Sequence, residues 1–143
     1  MLTTDLQDVV ADKLAIQQLV HRFENAFDAG DVDAHMATWA DEMQFESPFG
    51  NYDNREAYRA WVASFVEQTR AMGGTRHLIN NCDIEVRGDE ATMFCYLTIL
   101  NRQQRSIIAT TTCQDTLRRF NGQWKFTRRV LHVDQDLAVL AGG

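Results

Sequence analysis

Apolar residues recur at helical spacing early in the chain and at strand spacing in its second half. Over residues 5–29, Ile16, Leu19, Val20, Phe23 and Phe27 line one stripe of a helix. Thr3 and Thr4 can cap its start, and Gly30 supplies its stop. Asp31 can cap a second, short helix reaching residue 40 or so, with Val32, Met36 and Trp39 on one side. Residues 43–47 read as a short strand, and a loop containing Pro48 follows. Asp53 or Asn54 then caps a third helix that carries Tyr58, Trp61, Val62, Phe65 and Val66 at core spacing. Gly73 and Gly74 end that helix.

From Thr75 the period changes. Residues 75–86, 91–101, 106–120 and 123–133 are rich in β-branched and aromatic types. Arg87-Gly88-Asp89, a polar turn over residues 102–105, and Asn121-Gly122 separate them. The Asn-Gly pair predicts a type I′ hairpin, which needs positive φ at both central positions. Sequential hairpins make an antiparallel meander, and helices gathered at one end can cover one face of it. The expected fold is α+β: a cone-shaped barrel in which N-terminal helices pack on a curved antiparallel or mixed sheet. The mouth of such a cone is a natural small-molecule site. All 143 residues are expected to form one domain.

Composition narrows the function. A net charge of −6 argues against nucleic acid and anionic membrane as partners, because both call for a basic face. No apolar run is long enough to span a bilayer, and the acidic N-terminus lacks the blocks of a signal peptide. Cys82, Cys95 and Cys113 are odd in number, with no CxxC spacing, and read as buried thiols of a cytoplasmic protein.

Candidate chemistry is sparse. There is no HExxH, HxH or Cys/His cluster with zinc spacing, so no metal is expected. There is no phosphate loop, nucleophile elbow or dinucleotide fingerprint either, and no cofactor is expected. Four histidines remain. His77 lies near the start of a strand, where Thr75, His77 and Ile79 share one face and Leu78, Asn80 and Cys82 the other. Polarity alone leaves open which face points inward, and a lone strand histidine can equally bond a carbonyl or face water. Asp28, in the last turn of the first helix, sits at the edge of the apolar stripe and against the helix dipole. It can equally be a solvated residue at a helix end. His21 and His35 read as surface or capping residues, and His132 ends the last strand.

The segments FENAFDAGDVDAHMATWADEMQFES, TRHLINN and DTLRRFNGQWKFTRRV resemble the SnoaL-like group of the nuclear transport factor 2-like superfamily. That group includes scytalone dehydratase and hexachlorocyclohexane dehydrochlorinase, and the resemblance runs over residues 8–134. It implies a catalytic dyad of a helix-borne aspartate and a strand-borne histidine, which fall on Asp28 and His77. Neutral imidazole would take a proton from substrate carbon while the carboxylate fixes its tautomer and stabilises the imidazolium. A second histidine of the dehydratase aligns with Asn101, and two of its tyrosines align with Phe27 and Ser47. Asn101, Phe27 and Ser47 are therefore expected to touch substrate, with Tyr52, Trp61 and Tyr96 as pocket walls.

The resemblance thus implies a cofactor-independent lyase or isomerase acting on a small hydrophobic, cyclic substrate and assembling as a homodimer or homotrimer. The other expectations are a non-catalytic small-molecule-binding domain, a partner like the small subunit of a ring-hydroxylating dioxygenase, or a polyketide cyclase.

Overall fold

The computed structural model describes residues 2–134, with side chains from Asp5 onward. The expected caps Thr3 and Thr4, and the apolar tail residues Leu137, Val139 and Leu140, lie outside those described side chains.

The long helix α1 (Leu2–Ala29) is followed by α2 (Val32–Met36), β1 (Trp39–Ser47), β2 (Gly50–Tyr52) and α3 (Arg55–Ala71). The chain then runs through β3 (Thr75–Arg87), β4 (Glu90–Asn101), β5 (Ser106–Phe120) and β6 (Gln123–Val133). These strands form one six-stranded sheet in the order β2-β1-β6-β5-β4-β3. The pairs along it are antiparallel except β1 with β6, which is parallel. The sheet is mixed and unclosed, with α1 packed across β3 and β6. Among the described residues, no helix is long and apolar enough to cross a membrane.

Local chemistry accounts for most of the boundaries. The side chains of Asp31 and Asn54 accept the N–H groups of Ala34 and Ala57, the capping bonds expected for α2 and α3. Asn121 and Gly122 both have positive φ, 50° and 79°, as the type I′ hairpin between β5 and β6 requires. Ile16, Leu19, Val20, Phe23 and Phe27 of α1 are all buried. They meet an inner sheet face on which β4 alternates strictly, with Met93, Cys95, Leu97 and Ile99 in and Phe94 and Tyr96 out.

Two boundaries differ from expectation. α2 stops at Met36 rather than near residue 40, because the Thr38 hydroxyl takes the His35 carbonyl at 2.7 Å and Trp39 starts β1 beside Phe126. The supposed loop around Pro48 is a hairpin. Ser47 pairs with Gly50 across Pro48-Phe49, and Phe45 pairs with Tyr52. Proline suits the second position of such a turn.

The register of β3 also departs from simple alternation. Asn80 pairs with Tyr96 and Asp83 with Phe94, so Asn81 and Cys82 together face Cys95. This is a β-bulge, with Asn81 at φ 55°. It returns Cys82, Ile84 and Val86 to the face shared by Thr75, His77 and Ile79, which is the inner one. Cys82 therefore lies on the same side as His77, not the opposite side. Cys95 and Cys113 are buried and Cys82 half-buried, and all three are free thiols.

Candidate active site

Asp28 occupies the last turn of α1, and β3 passes beside it just after Gly73-Gly74 frees the chain from α3. The carboxylate accepts three hydrogen bonds. Oδ1 takes the Thr75 hydroxyl at 2.9 Å and His77 Nδ1 at 2.6 Å, and Oδ2 takes the His77 backbone N–H at 2.8 Å. Three donors offset the unfavourable position of a carboxylate at a helix C-terminus. They also fix the imidazole. An ionised carboxylate can only accept, so Nδ1 carries the hydrogen and Nε2 keeps its lone pair. The side chains of Asp28 and His77 are 18% and 7% exposed, so the pair is largely withdrawn from water. The only fully enclosed, unpaired side-chain polar atom among the described residues is Trp39 Nε1.

Burial pulls the His77 imidazole down, but the carboxylates of Glu24 and Asp28 outweigh it, and the net direction is upward from the ordinary value. Such a histidine is a stronger base than a free imidazole.

Aromatic rings lead from the dyad toward solvent. Phe27 meets the His77 ring edge-on at 4.9 Å and Phe65 at 5.8 Å. Phe65 meets Trp61 at 5.2 Å and Phe49 at 5.9 Å, and Trp61 meets Tyr52 at 5.5 Å. Trp61, Phe65 and Tyr52 are half-buried and Phe49 is exposed. Phe27 belongs to the buried core, and Trp61 and Tyr52 pack against that core from the more exposed side.

Other expected residues are placed differently. Tyr96 does not reach the dyad: it projects from the outer sheet face, 47% exposed, because β4 alternates and Tyr96 is out of phase with Leu97. Asn101 is buried on the inner face, but its Nδ2 donates to the Met72 carbonyl at 2.9 Å and its Oδ1 accepts from Gln104 N–H at 2.9 Å. It ties the α3–β3 and β4–β5 connections together. The Ser47 hydroxyl donates to the Gly50 carbonyl and accepts from Phe49 N–H, so it serves the β1–β2 turn.

His35 also differs from the surface or capping role expected of it. It is 1% exposed, with Nδ1 donating to the Phe23 carbonyl and Nε2 accepting the Tyr58 hydroxyl, each at 2.9 Å. Burial pulls its imidazole down to about 4, so it stays neutral, and the same burial pushes the Tyr58 phenol up. A signal was present: Val32, His35 and Met36 follow i, i+3, i+4 spacing, which puts all three on one helix face.

Among the described residues, no group of three or more His, Cys, Asp or Glu is placed to hold a metal ion. Two open clefts, of about 1390 and 710 Å³, lie elsewhere, and neither is lined by Asp28 or His77.

Helices on a mixed, unclosed, curved sheet define the cystatin-like, nuclear transport factor 2-like α+β fold, and the comparisons with known proteins agree. The SnoaL-like domain family matches residues 8–130, and the chain belongs to that family. A protein of unknown function with a cystatin-like fold from Nostoc punctiforme is 30% identical, over 90% of this chain and 96% of its own, with a TM-score of 0.80. An NTF2-like protein from Novosphingobium aromaticivorans is 23% identical over 98% of this chain and 93% of its own, with a TM-score of 0.83. A candidate scytalone dehydratase from the same organism is 22% identical over 94% of this chain and 89% of its own, at a TM-score of 0.78. No curated protein matches the chain.

Proposed function

We propose that the chain is a cofactor-independent lyase or isomerase in which His77 abstracts a proton from carbon and Asp28 orients and stabilises it. The 2.6 Å contact from His77 Nδ1 to Asp28 carries this reading, because in the neutral ring it leaves the lone pair on Nε2, the nitrogen that would act as base. The solved structures called candidate dehydratases support it at the level of fold. Nε2 takes a proton from a carbon next to a carbonyl, and the electron pair moves into an enolate. In isomerisation the imidazolium returns the proton to a different carbon. In elimination the pair expels a neighbouring hydroxyl, which leaves with that proton as water. The ring path from Phe27 to Trp61 and Tyr52 suits a small, hydrophobic, cyclic substrate.

Hydrogen–deuterium exchange tests this without knowledge of the natural substrate. In D2O, with 2-tetralone as probe, the wild-type protein is expected to accelerate exchange next to the carbonyl. His77→Gln and Asp28→Asn are expected to slow it by roughly 100-fold or more, the usual contribution of a positioned base. A wild-type rate no faster than that of His77→Gln would sink the proposal.

One observation favours a second reading, a non-catalytic binding domain: neither of the two large clefts reaches the dyad. On that reading 2-tetralone perturbs the indole resonances of Trp39 or Trp124, which line those clefts, leaves His77 unperturbed, and exchanges its own protons no faster than in free solution.

A further inference from the structure

The dyad does not account for three buried charged side chains. Arg129 on β6 is 1% exposed; its Nε and Nη2 donate to Asp115 at 2.8 and 3.0 Å, and its Nη1 donates to Glu24 Oε1 at 2.6 Å. The guanidinium also lies over the Phe23 ring, 4.5 Å from its centroid. Asp115 already pairs with Arg129 through two bonds, so Glu24 is a second carboxylate on the same guanidinium, and burial pushes the Asp115 carboxyl up. A buried charge without compensation is costly, and a cluster serving stability alone would do better with one carboxylate or with none. The second carboxylate is not placed at random. Glu24 and Asp28 are four residues apart on the buried side of α1, the spacing that stacks side chains on one helix face.

We propose that Glu24 is a positioning residue for His77: clamped by Arg129, its carboxylate is a second fixed negative charge against which the imidazolium of His77 forms. From α1, Asp28 bonds the histidine directly, and Glu24 lies one helical turn before it with its carboxylate held by Arg129. From α2, His35 lies across Phe27 and is neutral. From β6, Arg129 opposes the carboxylates, and its influence on His77 is weaker than that of Glu24. Thr75, on the same strand as His77, contributes a neutral hydroxyl bonded to Asp28. The clamp gives Glu24 a function that Asp28 cannot supply alone. Asp28 sets the tautomer by direct contact, and Glu24 biases the proton equilibrium without occupying the ring. The catalytic meaning of this inference rests on the dyad reading above; the electrostatic coupling itself does not.

The test is an NMR titration of the His77 imidazole in the wild type, Glu24→Gln, Asp28→Asn and Glu46→Gln. Glu46 pairs with Arg128 at the surface and serves as the control. Glu24→Gln keeps the shape and one hydrogen-bond acceptor for Arg129, and is expected to lower the His77 midpoint by roughly half a unit or more. Glu46→Gln is expected to leave it unchanged. A merely structural role for Glu24 would lower the melting temperature without moving the midpoint, and that result would overturn the proposal. If Glu24→Gln does not fold, the triple variant Glu24→Leu, Asp115→Leu, Arg129→Met removes the whole cluster, a kind of replacement that buried ion clusters tolerate. The same fall is expected there, and an unchanged midpoint again overturns the proposal. A fall with Asp28→Asn but none with Glu24→Gln would leave the dyad standing and remove this inference; the reverse would do the opposite.

Discussion

His35 and His77 both meet the Phe27 ring edge-on, with ring centroids 5.7 and 4.9 Å away, yet the protein treats them in opposite ways. His35 has only neutral hydrogen-bond partners, and burial counts for more than the charges of Glu24 and Arg129, so its imidazole is pulled down to about 4. His77 has two carboxylates, so its imidazole is raised despite burial. The consequences for stability have opposite signs. Between about pH 6.5 and about 4 the unfolded chain protonates His35 and the folded one does not, so acidification over that range removes up to about 3 kcal/mol. The raised His77 adds stability below about pH 6.5, lost as pH rises through its folded value. At pH 5.5, NMR of the imidazole nitrogens is expected to find His77 charged and His35 neutral, and a His35 that titrates near its ordinary value would refute the argument. Asp28 and His77 were legible through the family resemblance, since no periodicity singles out either one. Tyr96 was misplaced because an alternating strand needs a known inward face before any of its residues can be assigned. Asn101 was assigned by alignment, and no sequence pattern foretells that its amide bonds Met72 and Gln104.

At the scale of elements, the strands of the meander lay within a residue or two of their expected limits, because turn chemistry fixes them: Gly88, Arg105 and Asn121-Gly122 all take positive φ. The short hairpin β1–β2 was missed because three residues, Gly50–Tyr52, are too few to show a period. The bulge in β3 was also invisible, and it decides what the inner face contains. Without the extra residue, either Thr75, His77 and Ile79 or Cys82, Ile84 and Val86 would turn outward. Deleting Asn81 is therefore expected to cost more than about 3 kcal/mol, or to prevent folding, by putting half of the strand out of phase. Asn81→Gly keeps the residue count and relieves a φ of 55°, and is expected to change stability by less than about 1 kcal/mol. Denaturant unfolding of both variants tests the pair of statements. Comparable losses would mean that the asparagine side chain, not the bulge, holds the register.

At the scale of the whole molecule, α1 packs on one face of the sheet, and among the described residues the other face carries exposed side chains. On that outer face Leu78, Phe94, Tyr96 and Ile107 are between 39% and 64% exposed, and the Phe94 and Tyr96 rings meet edge-on at 5.8 Å. They lie on the adjacent strands β3, β4 and β5, so they form one patch rather than scattered exposures. A second copy of the chain is the occupant that the family resemblance implies, and a two-fold axis across this face would set each apolar patch against its own equivalent. Each copy also brings a net charge of −6, which opposes association at long range and is screened by salt. Self-association is thus expected to strengthen with ionic strength, as contact through an apolar patch between like-charged bodies should. Sedimentation is expected to give a multiple of the 16.4 kDa chain mass. Phe94→Lys with Tyr96→Lys is expected to reduce it to the single chain mass, while the His77 titration stays unchanged because these side chains stand on the far side of the sheet from the dyad. A wild-type protein that sediments as one chain at both low and high salt would show that this face pairs with no second copy.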